Sequence, residues 1–155
     1  MDESTYIALC RQQLSAFYRM ALSITGTRPD AEDAVQQTLL KAWQHRQKAR
    51  TGLERAWLMR ILVNECYTLL RHRSRVIPME ELPLQPHDAP GISPLQEAIR
   101  ALPENLRTPV LLKYMEGMSE KEVAEALRLP VSSVKNRLFR ARKLLKQELN
   151  EEVGI

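Results

Sequence analysis

Aromatic residues make up only 5% of this chain of 155 residues, and strand-like alternation of apolar and polar residues is absent. A β-fold is therefore excluded, and the leucine-rich remainder reads as helix. Cysteine occurs twice, at Cys10 and Cys66, in no metal-binding spacing, and His45, His72 and His87 are scattered. No metal centre is expected, and both thiols read as reduced, packed apolar residues. No histidine is grouped with a nucleophile and a carboxylate, and there is no glycine-rich phosphate loop, so neither catalysis nor a cofactor is expected. No apolar run approaches the roughly 18 residues of a membrane span. The opening "MDESTYIALCRQQ" lacks a signal-peptide pattern. The expectation is a cytoplasmic protein without membrane insertion.

What the chain does have is charge, unevenly spread. It carries a net +4 with a pI near 9.3, which points to an acidic partner. Lys135, Arg137, Arg140, Arg142, Lys143 and Lys146 crowd one stretch, and Arg71, Arg73 and Arg75 crowd another. Between them runs "IPMEELPLQPHDAPGISP", which holds five of the nine prolines. Proline at that density removes amide donors and blocks helix, so a linker is expected over residues 76–97. The flanking segments, 1–75 and 98–150, both show helical periodicity, and the expected fold is all-α with two small domains. Helices are expected over about 3–25 (ended by Gly26), 29–45, 54–73, 103–116 and 119–127, followed by a basic helix from about 131.

"GMSEKEVAEALRLPVSSVKNRLF" has the pattern of a helix-turn-helix. Ser119 and Glu122 form a capping box, Met118 and Val123 a hydrophobic staple, and Pro130 prevents one continuous helix. On a wheel at about 100° per residue, Val134, Leu138, Ala141 and Leu145 form the buried stripe of the last helix. Phe139 falls outside that stripe, among Ser132, Asn136, Arg140 and Lys143, with Lys135, Arg137 and Arg142 at its flanks. An apolar side chain among polar and cationic ones suits a helix in the DNA major groove. There it can meet a thymine methyl while the cations hold phosphates.

The first domain carries two further patterns. In "PDAEDAVQQTLLKAWQH", Ala31, Val35, Leu39, Ala42 and Trp43 read as the buried face. Asp33, Gln36, Gln37, Lys41 and the apolar Leu40 lie on the opposite one. In "ERAWLMRILVNECYTLLRHRSR", Leu58, Ile61, Leu62, Cys66 and Leu69 line one side, and Trp57, Arg60, Asn64, Tyr67 and Arg71 line another. Aromatic and basic residues interleaved on one face suit unpaired nucleic acid, because bases stack on rings while cations hold the backbone. Packing of those rings under neighbouring helices is the competing explanation. Glu65 falls toward the buried side of its helix.

"RPDAEDAVQQTLLKAW", "RAWLMRILVNECYTLLR" and "LPENLRTPVLLKYMEGMSEKEVAEALRLPVSSVKNRLFRARKLL" together resemble regions 2 and 4 of bacterial sigma factors, and the short chain resembles the extracytoplasmic-function (ECF) group. The resemblance implies that residues 1–75 are region 2 and residues 98–150 region 4. It further implies that Asp33, Gln36, Gln37, Leu40 and Lys41 meet the β′ clamp helices of RNA polymerase core, with the β flap as a further contact. The helix over residues 57–71, with the loop before it, would take bases of the melted −10 element, Arg60 and Asn64 being the best-matched positions and Trp57, Tyr67 and Arg71 sharing their face. Lys135, Asn136, Arg137, Phe139 and Arg140 would read the −35 duplex, joined by Ser132 and Lys143, which the wheel places on the same face. An anti-sigma factor is an implied partner, and the connector would thread toward the RNA exit path. This sequence departs from the family pattern at Gln37, where an acid is usual, at Thr68, often aspartate, and at Arg128, normally a turn glycine. The alternative is a dimeric helix-turn-helix regulator that acts without polymerase.

Overall fold

The computed structural model describes residues 1–76 and 93–153, with side chains described for 1–73 and 93–150. The chain divides into two compact units, Met1–Pro86 and His87–Ile155. Residues 77–92, most of the expected proline-rich linker, lie outside the described part, as does the side chain of Arg75.

Three helices build the first unit: α1 (Glu3–Thr25), α2 (Arg28–Gln44) and α3 (Glu54–Val76). Asp2 caps α1 by accepting from the Thr5 amide at 2.7 Å. Gly26 ends the helix in the left-handed region, at φ 83°, a conformation that favours glycine, and its amide donates to the Leu22 carbonyl. Pro29 stands in the first turn of α2, where a missing amide costs nothing. All three helices pack against one another. Phe17, Met20 and Ile24 from α1 meet Leu58, Met59 and Leu62 from α3 in a core from which solvent is excluded. From α2 this core receives mainly small residues, Ala31, Ala34, Val35 and Ala42. The buried Thr38 hydroxyl is satisfied by the Ala34 carbonyl at 2.7 Å.

The buried face of α2 differs from expectation at one end. Trp43 is 36% exposed and lies at the rim, edge-on to Tyr6 at 5.3 Å, with the Arg46 guanidinium stacked 3.8 Å from its ring centroid. The ring packs against an aromatic edge and a cation because the core position is already filled by alanine-sized neighbours. Leu39 is likewise only half-buried.

The second unit contains α4 (Pro94–Ala101), α5 (Glu104–Val110), α6 (Glu120–Leu127) and α7 (Val131–Val153). Helix α4 begins inside the stretch expected to be linker, so the expected boundary at 97/98 falls within a helix. Its start is a full capping box. The Gln96 amide donates to Ser93 Oγ at 3.2 Å, and the Ser93 amide to Gln96 Oε1 at 3.0 Å. The helix expected over 103–116 is interrupted. After Val110 it widens into a π turn over Leu111–Met115, in which the Glu116 amide reaches back five residues to Leu111. This turn keeps Leu111, Leu112 and Met118 buried while Tyr114 points outward, 54% exposed.

Pro109 lies inside α5 and cannot donate to the Asn105 carbonyl. That oxygen instead receives the Arg137 guanidinium from α7, at 3.5 Å. Val134, Leu138 and Ala141 form the stripe by which α7 is buried, as the wheel requires, with Leu145 half-buried beyond them.

Candidate nucleic-acid interface

The helix-turn-helix is assembled from α6 and α7. Ser119 Oγ accepts from the Glu122 amide at 3.1 Å, and Glu122 Oε1 accepts from the Ser119 amide at 3.1 Å, which fixes where α6 begins. Met118 and Val123, the staple pair, are both buried. The turn closes in a Schellman-like way, with the Leu129 amide on the Ala124 carbonyl at 3.0 Å. Arg128 occupies the left-handed position at φ 54°, ψ 49°, the one non-glycine residue with positive φ among those described. An L-residue there costs on the order of 1–2 kcal/mol. The turn thus retains the geometry of a glycine turn and bears the strain.

With the stripe of α7 buried, its outer face is fixed. Ser132, Lys135, Asn136, Arg140 and Lys143 are exposed, and Phe139 is 61% exposed, the most exposed large apolar side chain among those described. Arg137 is half-buried and tied to Asn105, so its guanidinium is partly committed within the unit. Lys135 stands a loose 4.0 Å from Glu120 on α6. The sequence did not single out one contact at the edge of this face: Arg142 Nη1 donates to the Tyr114 hydroxyl at 2.8 Å. Tyrosine and arginine were both visible as residues, but the π turn that brings them together has no sequence signature.

The second nucleic-acid surface is altered by the structure. Trp57 and Tyr67 are each only 8% exposed. Their rings are packed inside the unit and do not form the expected stacking stripe. The physical reason is that α3, like its two neighbours, packs against both other helices of the unit and so buries two arcs of its circumference. Asn64 and Arg71 remain exposed, with Arg60 half-exposed, alongside Thr68 and His72. Of the expected five, this face displays polar and cationic members only. Cys66 is buried, and burial, with the Glu65 charge secondary, pushes its thiol up to about 12. Burial also raises the Cys10 thiol and, with a hydrogen bond to Cys10, the Tyr6 phenol.

On α2, Asp33, Gln36, Gln37, Leu40 and Lys41 are all exposed and share one face, with Leu40 at 54%. Glu65 is accounted for here. From the flank of α3 it forms an ion pair with Lys41, its own side chain mostly buried. A second cross-helix pair joins Asp30 to Arg73, and Thr27 Oγ1 donates to the same Asp30 oxygen at 2.8 Å. Arg73 is thereby paired with an acid, whereas the exposed Arg71 donates to the Thr68 hydroxyl at 3.4 Å. Among the described residues, no group of acids, thiols or imidazoles is gathered in a way that could hold a metal. No described helix is long and apolar enough to cross a membrane.

Comparison with known proteins covers most of the chain. Residues 9–76 match the family model of Sigma-70 region 2, and residues 92–145 that of Sigma-70, region 4. The ECF RNA polymerase sigma factor SigE of Mycolicibacterium smegmatis is 32% identical over 155 residues, covering 91% of this chain; the chain spans 60% of that relative's length. RNA polymerase sigma factor SigV of Bacillus subtilis is 30% identical over 142 residues, covering 88% of this chain and 86% of the relative. Among solved structures, the sigma factor RpoE crystallised with the anti-sigma factor NepR from Bartonella quintana superposes with a TM-score of 0.77 at 27% identity. That match covers 94% of this chain and 97% of that one.

Proposed function

The chain belongs to the ECF group of RNA polymerase sigma factors, and from that membership we propose that it directs polymerase core to promoters by reading duplex −35 DNA with α7 and melted −10 DNA with α3. As a member of that family it is a non-enzymatic initiation factor that works by binding. Core polymerase and promoter DNA are its partners, with an anti-sigma factor as its regulator. The exposed face of α2, with Leu40 at its centre and Asp33, Gln36, Gln37 and Lys41 around it, docks on core.

The observation that supports this reading most directly is Phe139. A fully buried stripe on one side of α7 and an exposed phenyl ring among cations on the other fit a helix built to lie in a groove. Recognition of the −10 strand rests on Arg60, Asn64 and Arg71. Trp57 and Tyr67 support that surface from beneath. Capture of a flipped base must then offset a few kcal/mol of unstacking through hydrogen bonds and charge more than through ring stacking. Family membership favours this reading over a dimeric regulator, which would bind a palindrome without polymerase.

Run-off transcription with purified core on genomic fragments tests the proposal, comparing wild type with Asn64→Ala and Arg140→Ala. Transcripts should depend on the chain and weaken with both substitutions. A chain that yields no transcript, yet binds a palindrome as a dimer without core, would overturn it.

A further inference from the structure

The geometry points to a phosphate clasp made by Tyr114 and Arg142, at the edge of α7 next to the reading face. This inference rests on the reading of α7 as the duplex-binding helix and adds a contact to it. Arg142 lies 60° around α7 from Phe139 and 20° from Lys135 on a wheel of about 100° per residue, so it borders the outer face without belonging to its centre. The π turn of Leu111–Met115 swings Tyr114 outward until its hydroxyl meets the Arg142 guanidinium at 2.8 Å. Both side chains are exposed.

The chemistry of this pair separates it from those described cations that face an acid. Lys41 and Arg73 close on carboxylates, and Lys135 stands near one, so each is wholly or partly neutralised. Arg142 is held by a phenol. A phenol oxygen accepts one hydrogen bond and orients the guanidinium without cancelling its charge. Having accepted from Arg142, the Tyr114 oxygen still has its proton to give, and it donates to no other group among the described residues. One fixed cation and one free O–H donor, side by side on an exposed surface, match the two kinds of donor that phosphate oxygens take. A DNA phosphate is the ligand class they fit, beside the groove that Phe139 would enter. Such a contact sets register and orientation and reads no base.

The test uses the full chain with purified core and a fluorescent promoter duplex selected by the wild-type chain and core from a random-sequence pool. Affinity is measured from low to high salt for wild type, Arg142→Ala, Arg142→Lys and Tyr114→Phe, with Arg140→Ala as the control for the reading helix. Core capture is measured separately without DNA. Arg142→Ala should weaken binding to every selected duplex by a similar factor, on the order of fivefold, and flatten the log–log salt slope by about 0.9. Arg142→Lys should restore the slope and only part of the affinity. Tyr114→Phe should weaken binding by roughly threefold with the slope unchanged, since a neutral donor releases no counterion. If Arg140→Ala weakens binding while the clasp variants do not, the clasp is wrong and the reading helix stands. If Arg140→Ala has no effect either, the duplex-binding reading fails with it. Loss of core capture with DNA affinity intact would assign the pair to a protein interface and also overturn the clasp.

Discussion

Truncating two adjacent residues of α7 should have opposite consequences. Leu138 is completely buried and Phe139 is 61% exposed, although one peptide bond separates them. Leu138→Ala removes three buried carbon atoms and leaves a cavity, a change that costs about 2–5 kcal/mol. For a unit of this size that lowers the unfolding midpoint by roughly 10 °C or more. Phe139→Ala removes a larger side chain but leaves no cavity. Alanine is the better helix former by a few tenths of a kcal/mol, so stability should change by no more than about 0.5 kcal/mol. DNA binding should show the effect instead. If the groove covers even roughly 40 Å² of the ring, the contact is worth about 1 kcal/mol, or about fivefold in affinity. Because the ring carries no charge, that loss should be the same at all salt concentrations. Thermal unfolding followed by circular dichroism gives the first readout, and promoter binding with core across a salt series gives the second. A Phe139→Ala chain that melts as early as Leu138→Ala would place the ring in a protein core and refute the assignment of faces. A stable Phe139→Ala chain with wild-type affinity would show that this face of α7 does not enter the groove.

Three other outcomes can be checked with the same preparations. Arg128→Gly relieves a left-handed residue costing on the order of 1–2 kcal/mol but adds unfolded-chain entropy of up to about 1 kcal/mol; a net gain of about 0.5 kcal/mol should appear in urea unfolding, and a loss would mean the arginine side chain stabilises the turn. The Cys66 thiol ionises near 9.0 when unfolded and near 12 when folded, so its contribution is complete below pH 9 and declines as pH rises through 12, by at most about 1.4 kcal/mol per pH unit. Cys66→Ala, though less stable overall, should show a shallower alkaline decline, and equal slopes would count against this assignment. Glu65→Gln should release Lys41, cost under about 1 kcal/mol of stability, and alter the salt dependence of core capture; Lys41→Ala combined with Glu65→Gln should then cost no further stability, and additive stability losses would show that the two residues act apart.

Helix boundaries and the turn were largely legible in the sequence, because capping boxes, Gly26, Pro130 and the α7 stripe are local features read at fixed spacing. The left-handed position at Arg128 was suggested only by the resemblance, which puts a turn glycine there, and local spacing did not decide whether this turn keeps that geometry. Helix α4 was missed, although Ser93, Pro94 and Gln96 spell a capping box with proline at the first helical position; the surrounding prolines masked a signal that was present. The burial of Trp57 and Tyr67 could not be read from α3 alone. Periodicity gives the arrangement of faces on one helix, whereas the number of faces that are covered depends on how many neighbours pack against it. Glu65 was unexplained for a related reason: its partner, Lys41, lies on another helix, and no spacing along the chain links the two. The outward side of α2 was legible, but its inner face misassigned Trp43, since only tertiary packing shows that alanines already fill the space.

Proline within a helix normally counts as damage, a rung missing from the ladder. Pro109 makes a different use of the gap. The carbonyl it frees on Asn105 points across to α7 and receives Arg137, so the omitted rung becomes a cross-brace between two helices. Such a brace acts on orientation more than on total stability. A chain with Pro109→Ala could be the sturdier fold and still be the poorer reader of DNA, its recognition helix freer to roll about its own axis. Selection for thermal robustness alone would then work against fidelity at this one residue.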